Sequence, residues 1–313
     1  MIKQPIRIGT RASKLALVQA EATRALIAAT LGDPAAAEIV HIVTSGDRIQ
    51  DRRLMDIGGK GLFTKEIEEA LHEGRIDCAV HCLKDMPAEG PDGLVIAAIP
   101  EREDPRDAFL SVNHLTLSDL PHAARLGTAS LRRQAQALRI RPDLAVFALR
   151  GNVDTRLAKL ERGEADAIFL AAAGLNRLGL GHLPRTLLDP VVNPPAPGQG
   201  ILAIQTRVAD REARWLVPFR HRPTQIVAAA ERGALTALEA SCKTAVGAYA
   251  VIDGGRTRLV VEALTPDGTQ AFRETGAVSA EGPDAEEAAR ALGLALGQAI
   301  RARAGDVLFA AAP

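Results

Sequence analysis

Two segments in the first half of this 313-residue chain recur later in it, and the recurrence restricts the fold more than any other feature. Arg7-Ile-Gly-Thr10, followed by Ser13 and a predicted helix from Lys14 to about Ala29, parallels Arg125-Leu-Gly-Thr128, followed by Ser130 and a predicted helix from Leu131 to about Arg141. A longer parallel runs from Thr64 to Val80 and from Thr155 to Phe169. Each reads as a helix closed by Gly74 or Gly163, then an aspartate, then a strand. Two lobes of similar α/β build follow, with strand-to-helix turns facing a common cleft. Chance similarity of amphipathic helices is the alternative.

The turns of the second lobe are loaded with cations. Gly127-Thr128 supplies a turn, Ser130 is placed to cap the helix that begins at Leu131, and Arg132 and Arg133 fall in its first turn. Cations there oppose the helix dipole and are unfavourable unless an anion joins them, so the pattern points to a ligand. The design repeats: Leu144 to Leu149 reads as a buried strand, Arg150-Gly151-Asn152 as a turn, and the chain from Asp154 as a helix carrying Arg156. A site so built suits a substrate with several carboxylates or phosphates. A solvated basic surface is the competing reading.

Composition makes these clusters local devices. Lys plus Arg (38) balance Asp plus Glu (38), so no global field recruits nucleic acid or an acidic membrane, and aromatics at 3% argue against base-stacking platforms. The chain opens directly into a strand, and no apolar run is long enough to span a bilayer, which predicts a cytoplasmic enzyme. Cys78, Cys82 and Cys242 are too few for a disulfide framework. Cys78, His81 and Cys82 read as strand residues on alternating faces, so no metal is expected.

The polar, proline-flanked stretch Ile99 to Arg106 is predicted to cross from one lobe to the other, and Val191 to Gly200 to return, which makes a double hinge. After Pro218 to Pro223 a third unit is expected. It has a helix from about Thr224 to Leu238, strands over 247–252, 257–263 and 270–278, and a closing helix from about Pro283 to Arg303. Asp47 to Gly61, charged and glycine-rich, is the candidate for a mobile flap, and Gly58-Gly-Lys-Gly61 lacks Walker spacing. Asp85 follows a buried strand, where a carboxylate faces the ligand crevice of such sheets; a turn aspartate paired with Lys84 is the plainer reading. Cys242, in a loop beside Lys243, is the one cysteine with a plausible reactive setting, against the usual fate of a lone cysteine as an apolar filler. Gln199 either faces the cleft or satisfies the hinge backbone.

Six ordered motifs together resemble the porphobilinogen deaminase (hydroxymethylbilane synthase) family. They are Ile8-Gly-Thr-Arg-Ala-Ser-Lys-Leu-Ala16, Gly59-Lys-Gly-Leu-Phe-Thr-Lys-Glu66, Val80-His-Cys-Leu-Lys-Asp-Met-Pro87, Gly127-Thr-Ala-Ser-Leu-Arg-Arg133, Leu149-Arg-Gly-Asn-Val153 and Pro197-Gly-Gln-Gly200. The resemblance covers Ile6 to about Ala250 closely and the C-terminal unit by layout. It implies a transferase of heme biosynthesis that joins four porphobilinogen molecules head to tail, with loss of ammonia, into hydroxymethylbilane. It also implies a dipyrromethane cofactor on a thioether to Cys242. The cofactor's acids would fall to Lys84, Thr128, Ser130, Arg132, Arg133 and Arg156, and the substrate's to Arg11, Ser13, Arg150 and Arg156. Lys60 on the flap and Gln199 at the hinge would also serve. Asp85 matches the catalytic aspartate, which binds pyrrole N–H groups and stabilises the cation left when ammonia departs.

Four places depart from the family pattern. Asp56 stands where lysine is common, Cys82 where serine is usual, Ala240-Ser241 where paired glycines are common, and Thr244-Ala245 where a proline is usual. The expected architecture is α/β, with two type II periplasmic-binding-protein-like lobes joined by a double hinge and a smaller α+β C-terminal domain with an antiparallel sheet. The lobes are 1–99 with 200–218 (flap 47–61) and 105–193, and the C-terminal domain, which carries the cysteine, is 223–313. The partners expected are porphobilinogen and the growing oligopyrrole, with no nucleic acid and no membrane, and the chain is expected to be a monomer. A two-lobed anion-binding protein, or a weakly active paralogue that binds acidic pyrroles, are the alternatives.

Overall fold

A computed structural model describes residues 4–48, 64–239 and 244–309. Two compact units divide the chain: Met1–Asp51, Gly59–Glu103 and Gly200–Gln225 form one, and the remainder, chiefly Asp104–Gln199 and Ile226–Pro313, forms the other.

The first unit is built on a five-stranded sheet. Strands β1 (Ile6–Thr10), β2 (Ala37–His41) and β3 (Cys78–Cys82) run parallel, while β10 (Leu202–Arg207) is antiparallel to β3 and to β4 (Leu94–Ala98), and the order across the sheet is β2-β1-β3-β10-β4. The period of two along β3 divides it between two cores. Cys78 and Val80 pack with Ile8, Ile27, Ile204 and Phe219, whereas Ala79 packs with Ile42, Ile67, Leu71 and Ile76. A sheet covered on both faces explains the nearly unbroken apolar run.

The second unit carries a sheet of the same plan. Here β6 (Arg125–Gly127), β7 (Ala145–Phe147) and β8 (Ala167–Ala171) are parallel. Strand β5 (Asp107–Ser111) is antiparallel to β8 and to β9 (Thr186–Leu187), and the order is β7-β6-β8-β5-β9. The repeat seen in the sequence is therefore a repeat of sheets, and one contact marks it in both. The Arg7 amide and guanidinium donate to Asp77 at 2.9 to 3.0 Å, and the Arg125 amide and guanidinium donate to Asp166 at 2.7 and 3.0 Å. In return the Asp77 and Asp166 amides donate to the Arg7 and Arg125 carbonyls. Gly74 and Gly163, with φ of 68° and 71°, reverse the chain just before each aspartate, a conformation that disfavours a side chain.

Strand β7 is shorter and more exposed than the sequence predicts. It is an edge strand paired only with β6, and the apolar Leu144 and Leu149 that suggested a longer buried strand are buried from the flanking loops instead. The rest of the second unit holds an antiparallel sheet of β11 (Ala245–Asp253), β12 (Arg256–Leu264) and β13 (Ala271–Ser279) in that order, with the helix Ala285–Ala304 and, from Ile226 onward, the helix Arg222–Ala237. These helices pack closely through glycine. A Cβ at Gly233 or Gly293 would collide with the carbonyls of Arg290 and Ala230. Among the described residues no helix is long and apolar enough to cross a membrane.

Candidate functional site

In each unit the chemistry-bearing residues follow the carboxyl ends of parallel strands, where such sheets expose helix N-termini. In the first unit β1 leads to Arg11 and to Ser13, whose hydroxyl caps the helix Lys14–Leu31 by accepting from the Ala16 amide at 3.3 Å. Neighbouring β3 leads into a short 3₁₀ turn, Leu83–Asp85, closed by the Met86 amide on the Leu83 carbonyl. Leu83 is buried and Asp85 exposed, so the turn anchors itself through the leucine and turns the carboxylate outward. Asp85 has no hydrogen bond or ion pair among the described residues, so it is not the Lys84-paired turn aspartate of the plainer reading.

His81, one strand position before Cys82, is buried, and its Nε2 lies 2.9 Å from Gln205 Oε1. Gln205 Nε2 in turn donates to Glu68 at 3.3 Å. Burial, with a smaller push from the Arg11 charge, lowers the His81 pKa to about 4 despite the Gln205 bond. The unfolded chain therefore takes up this proton first as pH falls. Stability held above pH ~6.5 should decline toward pH ~4 by roughly 3 kcal/mol and then level. Chemical denaturation across that window should show the slope, and His81→Gln should remove it. Cys82 rests its thiol 3.4 Å from the Gln19 amide nitrogen, a weaker contact than a hydroxyl would give.

In the second unit Ser130 caps the helix Leu131–Ile140 by accepting from the Arg133 amide, and the Thr128 hydroxyl accepts from the Ser130 amide at 3.2 Å. Asn152 caps the helix Val153–Glu161, from which Arg156 Nε reaches back to the Gly151 carbonyl at 2.8 Å. All these groups follow β6 and β7. Arg150 has a buried Nη1 without a hydrogen-bond partner.

The two first-turn arginines behave differently from the sequence expectation that an outside anion must join both. Asp107, only 1% exposed at the start of β5, lies beneath them. Arg133 donates to it through Nε and Nη2 (3.1 and 2.7 Å) and through Nη1 to the Phe169 carbonyl (3.0 Å). Arg132 donates to it through Nη1 alone (2.7 Å), and the same nitrogen meets Gln136 Oε1 (2.9 Å) and the Pro194 carbonyl (3.3 Å). Burial alone would push the Asp107 carboxyl up, but the charges of Arg132 and Arg133 hold it far below the usual carboxylate range. Gln199, 1% exposed, donates to Asp107 at 2.9 Å and to the Pro105 carbonyl at 2.8 Å, the backbone-satisfying of its two sequence readings. The segment bearing it is fixed further by Glu231, a fully buried carboxylate that accepts from the Gly198 and Ala250 amides at 2.7 and 2.8 Å.

Asp107 and Glu231 are the residues that sequence reasoning missed. The available signal for Asp107 was a lone acid opening the apolar run Ala108-Phe-Leu110. Cys242, Lys60, Asp56 and Ala240-Ser241 lie outside the described residues, as does the candidate flap from residue 49 onward.

Asp107 is the one carboxylate hydrogen-bonded to the two buried guanidiniums, with Glu262 acting on Arg132 from further off, and Arg132 Nε is buried with no partner. An orphaned guanidinium donor of this kind fits a bound carboxylate. Fold and sites together define an α/β protein that carries helix N-termini and arginines at the strand ends of each unit.

Residues 6–214 match the family described as porphobilinogen deaminase, dipyromethane cofactor binding domain, and residues 226–302 match its C-terminal domain. The porphobilinogen deaminase of Caulobacter vibrioides strain NA1000 is 65% identical over 97% of this chain and 98% of its own length. That of Caulobacter sp. strain K31 is 64% identical over 99% of both, and that of Phenylobacterium zucineum 60% identical over 98% and 99%. A YaeC-family lipoprotein structure from Enterococcus faecalis matches at a TM-score of 0.40 and 14% identity, covering 69% of this chain and 90% of that one. The chain belongs to the porphobilinogen deaminase family, a family of transferases, and contains its dipyrromethane cofactor-binding domain.

Proposed function

We propose that this chain condenses four molecules of porphobilinogen head to tail with release of four ammonia molecules and uptake of one water, giving hydroxymethylbilane for heme synthesis. We infer that the dipyrromethane cofactor is held by a thioether to Cys242. The observation that carries the proposal is the pair of buried guanidiniums sharing Asp107, with Arg132 Nε left for an acid of the ligand. The bound dipyrromethane supplies the pyrrole end onto which the first substrate is added.

Each pyrrole of substrate and cofactor bears an acetate and a propionate. Arg132, Arg156, Lys84, Thr128 and Ser130 act on the cofactor's acids, with Arg133 behind Arg132 on Asp107. Arg11, Ser13, Arg150, Arg156 and Lys60 act on the substrate's, with Gln199 supporting through Asp107. A charge-assisted bond is worth about 1.5–3 kcal/mol, so several such pairs hold a flexible acidic chain. Asp85, an exposed carboxylate at a strand end, hydrogen-bonds pyrrole N–H, offsets the positive charge that develops as ammonia leaves, and accepts the proton released on coupling. Attachment at Cys242 is supported by the entry of β11: Ala245, three positions further on, packs against Leu131 at the head of the arginine helix. Within the same proposal the enzyme works as a monomer in the cytoplasm, which sedimentation and cell fractionation would check.

The deciding experiment is the intact mass of the purified protein beside Cys242→Ala. The native chain should carry the added mass of a dipyrromethane and the variant none. A native chain that stays unmodified after incubation with porphobilinogen would sink the proposal.

A further inference from the structure

We propose that Asp107 and Gln136 are positioning residues that hold one edge of the Arg132 guanidinium, leaving its Nε–Nη2 edge as a two-pronged seat for a single carboxylate of the cofactor. This rests on the function proposed above and adds which edge binds and what sets it. An arginine guanidinium offers two such edges, the Nη1–Nη2 end and the Nε–Nη2 side, and only a fixed plane can present one of them to a carboxylate with two parallel bonds.

Here Nη1 is held from three sides, by Asp107 Oδ2 at 2.7 Å, Gln136 Oε1 at 2.9 Å and the Pro194 carbonyl at 3.3 Å. Nε is buried without a partner, and no hydrogen bond falls on Nη2 among the described residues. The holders are themselves held. Asp107 is fixed by Arg133 and Gln199, and Gln136 Nε2 donates to the Pro194 carbonyl and to Glu262 Oε2, both at 3.1 Å. Glu262 lies on β12 and accepts from Arg273 at 3.3 Å. The plane of Arg132 is thus set by the strand Asp107–Ser111, its own helix and the C-terminal sheet together. Arg133 has no comparable free edge, because Nε, Nη1 and Nη2 all donate within the protein. The neighbouring arginines therefore differ in role: Arg132 meets the ligand and Arg133 backs the acid that orients it.

The test loads cofactor-free protein with porphobilinogen and reads the covalently modified fraction by intact mass, in native protein, Gln136→Leu, Asp107→Asn, Arg132→Lys and Gln136→Leu/Arg132→Lys. Gln136→Leu should raise the half-saturating porphobilinogen concentration for loading about tenfold, the low end of a charge-assisted bond. It should do so with little change in the maximal loading rate. In the Arg132→Lys background, where no fork remains to orient, the same substitution should have no further effect, a coupling that a general loosening would not produce. Asp107→Asn should weaken loading in the same way, and if it does not fold, Gln136→Leu decides. Native-like loading by Gln136→Leu, or an equal loss in the Arg132→Lys background, would overturn the assignment. Failure of the native protein to load at all would instead count against the function proposed above.

Discussion

Asp85→Ala should leave a folded, thermally normal protein whose turnover falls by about 10²–10⁴-fold, the usual contribution of a positioned acid or base. Stability should hold because the carboxylate is exposed and makes no bond among the described residues, so its removal empties no cavity and strands no partner. The activity should fall because, in the function proposed above, this acid, beyond a central strand on a turn pinned by Leu83, handles the protons of the substrate. Steady-state turnover at saturating porphobilinogen, beside a thermal melt, separates the two. A variant with native turnover would show that the proton is handled elsewhere, and one that melts early would show a structural role.

The largest stability effect should come from Asp107→Ala, at about 3–5 kcal/mol, because it strands two buried guanidiniums over a cavity. The folded pKa of Asp107 is depressed far below the unfolded value of about 3.9. Its contribution is therefore complete above that unfolded value and is lost only as pH falls further, toward the folded pKa. Urea unfolding should show the full deficit of the variant unchanged between pH 5 and 8, shrinking only in stronger acid. A deficit that vanished by pH 5 would mean that the ion pairs do not hold the carboxylate as described. Unlike Asp85→Ala, this substitution should cost the fold first and cofactor loading as a consequence.

Much of the site is legible in the amino-acid sequence. The turn sequence ending in Ser130 announces a helix cap by residue type and spacing, and local hydrogen bonding suffices to make it, as it does at Ser13 and Asn152. The paired glycines and aspartates at Gly74-Asp77 and Gly163-Asp166 likewise announce a repeated strand, because each works within a few residues of chain. Charge in the first helical turn says that an anion is needed, which electrostatics requires whatever the fold.

What the sequence could not determine is which anion answers which arginine. Arg132 and Arg133 are adjacent, of one type and on one helix, yet one keeps a free edge and the other has none. The difference lies in Asp107, 25 and 26 positions away, and in Phe169 and Pro194, still more distant. Gln199 was ambiguous for the same reason, since its partners Pro105 and Asp107 meet it only across the chain's return. Caps, turns and strand periods are local, so the sequence by itself determined the repeated lobes and the placing of cations at helix mouths. A buried charge, by contrast, is satisfied by whatever packing brings within 3 Å or so. The division of labour between neighbouring arginines was therefore decided only by the tertiary structure.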